Sequence, residues 1–131
     1  MGLAEKRWAA DKKKNDEPAF ASQVSSTLGF PVKLEIDWDG FSTDLTDAQY
    51  INHDNYGLPN LIKALSTITA DDIGKQAIKG ALKKIVVEPG TADDTSFSFE
   101  DGTITWKAYF GSSSNGYIYA DAMQKKLESA L

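Results

Sequence analysis

A chain of 131 residues, 41% hydrophobic and 25% charged with three Trp, is long enough to bury a core without staples and far from the composition of disorder. The absence of cysteine excludes disulfide frameworks, thiolate metal sites and cysteine nucleophiles, and no apolar run approaches the ~18 residues that span a bilayer. The net charge of -5 is uneven, +3 over residues 1–14, -7 over 15–60 and -1 over the remainder; an acidic stretch of this kind repels phosphate backbones, so no nucleic-acid partner and no membrane contact are expected.

Residues 1–131 read as one domain. The charged start from Met1 to Lys14 is followed by no apolar stretch that would make a secretory signal, which predicts a cytoplasmic protein. Leu3 to Lys14 carries helix formers but a thin apolar stripe, predicting a loosely packed helix anchored by Trp8. Phe20, Val24 and Leu28 then recur every four positions between a capping Asp16 and Gly29, the pattern of a three-turn helix. From Val32 to Trp38 the residues alternate, Val32, Leu34, Ile36 and Trp38 against Lys33, Glu35 and Asp37, which predicts a strand with one wet face. Asp39 to Gly57 reads as a long polar loop with one helical turn near Asp47 to Tyr50, and such loops are uncommon unless functional or pinned.

Leu58, Leu61, Ile62, Leu65 and Ile68 mark an amphipathic helix, and Thr69-Ala70-Asp71-Asp72 reads as the capped start of a second one with Ile73, Ala77, Ile78, Ala81 and Leu82 on its apolar face. Lys84 to Glu88 is a short strand stopped by Pro89-Gly90. Phe97 and Phe99, then Asp101-Gly102, then Ile104, Trp106, Ala108 and Phe110 form a hairpin, since the Asp-Gly pair supplies the positive φ angles of a two-residue turn. A Ser-rich loop, Gly111 to Gly116, leads to a last helix from about Tyr117 to Ala130 with Met123 and Leu127 inward. The fold class is therefore α+β, a mainly antiparallel four-stranded sheet with helices packed on one face in the order ααβααβββα. The other face displays Glu35, Asp37, Ser96, Ser98, Thr103, Thr105, Lys107 and Tyr109.

Three stretches bear on chemistry. Leu34-Glu35-Ile36-Asp37-Trp38-Asp39-Gly40-Phe41, an apolar strand ending in Asp-x-Asp-Gly, resembles the first motif of haloacid dehalogenase-type phosphatases. That resemblance implies Asp37 as nucleophile and Asp39 as acid and base beside a magnesium ion. It stops at these residues: Phe41 stands where the family has Thr or Val, and the alternation of Lys33, Glu35 and Asp37 departs from the family's strand, which is central in a parallel sheet and buried on both faces. The same carboxylates, with Asp44 and Asp47 downstream, are an alternative calcium or magnesium site; an EF-hand fails, with Phe41 and Ser42 at its fifth and sixth positions, and looser binding by the clustered carboxylates stays open. The second stretch, Tyr50-Ile51-Asn52-His53-Asp54-Asn55-Tyr56, holds the one histidine among aromatics suited to a recognition surface or to packing under the loop. The third, Gly111 to Gly116, has amides for an anion at a helix start but lacks the Lys-Ser/Thr of a phosphate loop.

These readings predict a non-enzymatic protein-binding or accessory domain without a cofactor. Its candidate binding residues are Glu35, Asp37, Asp39, Asp44, Asp47, Tyr50, His53, Asp54 and Tyr56, facing a basic protein partner. Small acidic inhibitors, including bacterial immunity-type proteins, work on that principle and are similar in charge and size. The alternatives are a divalent-metal-dependent hydrolase built on Asp37 and Asp39, and a structural subunit without a specific site.

Overall fold

In the computed structural model, which describes residues 2–131, the chain starts as one unbroken helical rod. Helix α1 (Leu3–Asp11) passes through a π-helical segment, Lys12–Asp16, into α2 (Glu17–Leu28). The widened turn has a cause in Pro18: a proline in a continuing helix lacks an N–H and crowds the carbonyl four residues back, and a wider turn just before it relieves that clash. Asp16 is accordingly no cap. Its backbone is helical, and its carboxylate accepts from Lys12 Nζ at 2.9 Å and Asn52 Nδ2 at 3.1 Å. Phe20, Val24 and Leu28 bury one face, and Gly29, at φ 83°, ends the helix in the left-handed region that favours glycine.

The sheet comprises β1 (Lys33–Ile36), β2 (Lys84–Pro89), β3 (Ser96–Glu100) and β4 (Thr103–Ala108), in the spatial order β1-β2-β4-β3. It is mixed and mostly parallel: β1 runs parallel to β2 and β2 to β4, and the β3–β4 hairpin alone is antiparallel. This corrects the mainly antiparallel expectation. After β2 the chain passes through residues 90–95, across the end of β4, to start β3 on the far side. The hairpin turn, with Asp101 at φ 53° and Gly102 at φ 79°, then returns β4 into the gap beside β2. Three consecutive strands thus form no meander, because the hairpin's return strand takes the position between its own first strand and β2.

The one-sided burial does hold. Lys33 and Glu35 are exposed while Leu34 and Ile36 turn inward, and Ile85, Val87, Phe97, Ile104, Trp106 and Ala108 form the inner face. The register aligns Glu35, Val86, Thr105 and Ser98 in one row across the outer face. Glu35 is paired there with Lys84 at 3.0 Å and Lys33 at 3.8 Å.

The strand β1 stops two residues before its predicted end. Asp37 caps a single-turn helix, α3 (Trp38–Phe41), its Oδ1 accepting from Gly40 N at 2.9 Å. Trp38 is buried, donates its indole N–H to Glu17 Oε1 at 3.2 Å, and meets the Trp8 ring edge-on at 6.0 Å. Asp44 caps a second turn, α4 (Leu45–Ala48), accepting from Asp47 N at 3.2 Å. The long loop is therefore two capped turns pinned by Trp38, Phe41, Ala48, Ile51 and Leu58, all buried.

Helices α5 (Pro59–Ile68) and α6 (Asp72–Ala81) form the expected pair, with Asp71 capping α6 through Gly74 N at 2.7 Å. Ile73, expected inward, is 84% exposed. Gly74 faces the end of α5 instead, where a Cβ would overlap the Ile68 carbonyl, and that close approach turns Ile73 to solvent. Helix α7 (Ala120–Ala130) begins at Ala120 rather than at Tyr117 and buries Met123 and Leu127. One contiguous core joins the inner sheet face to α2, α5 and α7. Among the described residues, no helix is long and apolar enough to cross a membrane.

Candidate functional site

The parallel arrangement brings the carboxyl ends of β1, β2 and β4 to one edge, and in open sheets that edge is where crevices form. A cleft of about 240 Å³ opens there between the α3–α4 turns and the residues that follow β2 and β4. Phe41, Tyr109 and Phe110 line it together with Thr43, Asp44, Asp47 and Thr91. The Phe41 and Phe110 rings meet at a tilt of 36° with centroids 5.5 Å apart, and Phe110 meets Trp106 edge-on at 5.6 Å, so the cleft wall is continuous with the core. Tyr109 was expected on the open sheet face; β4 ends at Ala108, and the next residue leaves the sheet to join the cleft.

Two of the predicted carboxylates, Asp44 and Asp47, stand at this cleft. Asp47 is half-buried against buried Gly111, where a Cβ would meet its carboxylate at 2.5 Å. Burial first, and then the neighbouring Asp44 carboxylate, hold the Asp47 carboxyl above its ordinary value of 3.8. Asp37 and Asp39 lie beyond Gly40, in a second groove shared with Lys6 and Lys13 of the basic N-terminal segment. Glu35 is on the outer sheet face, apart from these four. Among the described residues, no group of three or more acidic or histidine side chains is arranged to hold a metal ion.

The second and third stretches meet in an aromatic column. His53 stacks on Tyr56 at 4.1 Å, Tyr56 on Tyr117 at 3.9 Å, and Tyr117 on Tyr109 at 6.0 Å. The column runs from the loop to the cleft wall. His53 Nδ1 accepts from Asn55 N at 3.1 Å, Tyr109 Oη accepts from Ser113 N at 3.2 Å, and the Tyr117 hydroxyl donates to the Gly111 carbonyl. These contacts assign Gly111 to Gly116 to framing the cleft; the loop holds only a single 3-10 turn, Ser114–Gly116, and α7, the helix the anion reading relies on, starts at Ala120. Tyr50 stays 41% exposed, and Asp54 is exposed with its carbonyl accepting from Lys63 Nζ at 2.6 Å.

Tyr109 and Tyr117 are the residues that sequence reasoning missed. Their signal is a crowding of tyrosines, Tyr109, Tyr117 and Tyr119, around a Gly-bounded loop.

Burial, followed by the hydrogen bond and charge of Tyr56, pushes the Tyr117 hydroxyl up to about 12. The folded state therefore favours the neutral phenol, and this group's contribution to stability declines as pH rises above 10. In an absorbance titration of the five tyrosines, one is expected to ionise late, and Tyr117→Phe is expected to delete that step. Five tyrosines ionising together near the ordinary value of 10 would show a column open to water.

No protein-family model matches the chain, and neither a curated protein nor a solved structure resembles it significantly.

Proposed function

We propose that this protein is a non-catalytic binding domain that docks a basic protein surface against the carboxyl edge of its parallel strands. One observation carries the reading: Asp44 and Asp47 stand at a concave aromatic-walled cleft at that edge, and Asp37 and Asp39, from the preceding capped turn, line the neighbouring groove. Capping fixes the turns. Asp37 and Asp44 each hold a backbone amide, so the surface is set before a partner arrives and little ordering entropy is lost on docking. The acidity of residues 15–60, net -7, adds long-range steering toward a cationic partner. Small acidic inhibitors of the immunity type use the same physics on other scaffolds.

The test is a four-site variant, Asp37→Asn, Asp39→Asn, Asp44→Asn and Asp47→Asn. Asparagine caps helices about as well as aspartate, so the melting temperature is expected to stay within a few degrees while four charges vanish. Pull-downs from the native lysate are expected to lose the partner that the wild type retains. Identical captured sets would refute the docking surface.

A second reading, a divalent-metal hydrolase at Asp37 and Asp39, draws on one observation: Asp37 follows directly on a strand of the parallel set. Against it, β1 is an edge strand with a wet face, and Asp37 is occupied as a cap. A rise in melting temperature with magnesium or calcium, lost in Asp39→Asn, would decide for the hydrolase.

A further inference from the structure

We propose that the cleft at the carboxyl edge receives one arginine side chain of the basic partner, an inference that rests on the docking reading and adds the group it grips. The cleft's volume of about 240 Å³ is several times the ~30 Å³ that one water occupies in the liquid. It has room for a side chain. Tyr109, half-buried, offers ring surface beside the buried Phe41 and Phe110, and Asp44 and Asp47 offer negative charge. A planar guanidinium uses both at once, stacking on aromatic groups while donating forked hydrogen bonds to carboxylates.

Other cations fit less well. A lysine ammonium is a compact, strongly hydrated point charge that gains little from flat rings. A bare calcium ion takes about 6–8 oxygen ligands, and the described residues bring two carboxylates here and no third acid.

Asp47 distinguishes this place from the ordinary acidic surface. It is half-buried, it lies against the Gly111 main chain, and its carboxylate faces that of Asp44. Both circumstances disfavour its ionised form, and an entering cation offsets both. No lysine or arginine is among the described residues lining the cleft: Lys107 pairs with Asp94, and Lys6 and Lys13 line the separate groove at Asp37. The cap at Asp44 uses the Asp47 backbone amide, so Asp47→Asn leaves that bond in place.

The experiment titrates two blocked peptides, acetyl-Gly-Arg-Gly-amide and acetyl-Gly-Lys-Gly-amide, into the isotopically labelled full chain and follows backbone amides by NMR. The arginine peptide is expected to give saturable shifts centred on Thr43, Asp47, Thr91 and Gly111. Asp47→Asn is expected to weaken it about tenfold, the scale of one charge-assisted hydrogen bond. Thr91→Trp adds bulk without charge at an exposed position of the cleft, and is expected to block the same shifts.

The proposal falls if the shifts do not saturate, if they centre on Asp37 and Asp39, or if the lysine peptide binds equally well and survives Thr91→Trp. Displacement of the peptide by submillimolar magnesium or calcium would also overturn it. A native partner lost by the four-site variant but kept by both Asp47→Asn and Thr91→Trp removes the arginine receptor and leaves docking standing. A partner kept by all three variants removes the docking reading, and this inference with it.

Discussion

Trp106→Ala is expected to cost about 3–5 kcal/mol, the range for truncating a large buried aromatic residue. Trp106 is 1% exposed on β4, between the register partners Val87 on β2 and Phe97 on β3, with Phe110 edge-on above it. Because β4 is flanked on both sides, no neighbouring strand can slide in to fill the space, and most of the cavity persists. Urea denaturation with tryptophan fluorescence measures the cost, Trp8 and Trp38 still reporting. The cleft is expected to loosen too, since Phe110 would lose the ring it leans on. Trp106→Phe is expected to recover more than half of the loss. A cost below about 1 kcal/mol for the alanine variant, the size of an ordinary surface change, would contradict the placement of Trp106 at the centre of the sheet.

Gly57→Ala carries the second large effect, about 1–3 kcal/mol by overpacking. A Cβ at this buried position would lie 2.5 Å from His53 N and 2.7 Å from His53 O, closer than any real contact, and these are main-chain atoms with little room to yield. The Gly57 amide also donates to the His53 carbonyl at 2.7 Å, and Leu58 N to the Ile51 carbonyl at 2.7 Å, so relief would break bonds that tie the loop to α5. Tyr56 sits between these points. The expected signature is therefore a change in the near-ultraviolet circular dichroism of the His53–Tyr56–Tyr117 column alongside lower stability. Gly80→Ala is the control: nothing lies within 4 Å of its Cβ, and in the last turn of α6 the change is expected to be neutral or stabilising by up to about 1 kcal/mol. Equal behaviour of the two variants would sink the close-approach argument.

What the sequence made legible was local. The four-residue repeat of Phe20, Val24 and Leu28 with Gly29, the cap at Asp71, the Asp101-Gly102 turn and the alternation of Lys33 to Ile36 each depend on neighbours within one or two turns of chain. The sheet's direction was not legible, because parallel pairing of β2 with β4 is decided by how residues 90–95 route around a strand not yet laid down. The same holds for the site. The acidity of the Asp37–Asp47 stretch could be counted, yet Asp37 and Asp44 read the same in sequence whether they cap a turn or face a partner. The column joining His53 and Tyr56 to Tyr117 spans more than 60 positions, and no periodicity encodes it.

The strand order carries a consequence for self-association. The segments best able to template growth of a cross-β stack, Ile85–Val87 and Ile104–Trp106, belong to the two interior strands and have both backbone edges occupied. The edges left free belong to β1, four residues long and flanked by Pro31, and to β3, five residues of which Ser96, Ser98 and Glu100 face outward from the core. Short, polar, charge-bearing borders of this kind discourage strand addition by a second molecule, so the sheet guards its stickiest sequence by enclosing it.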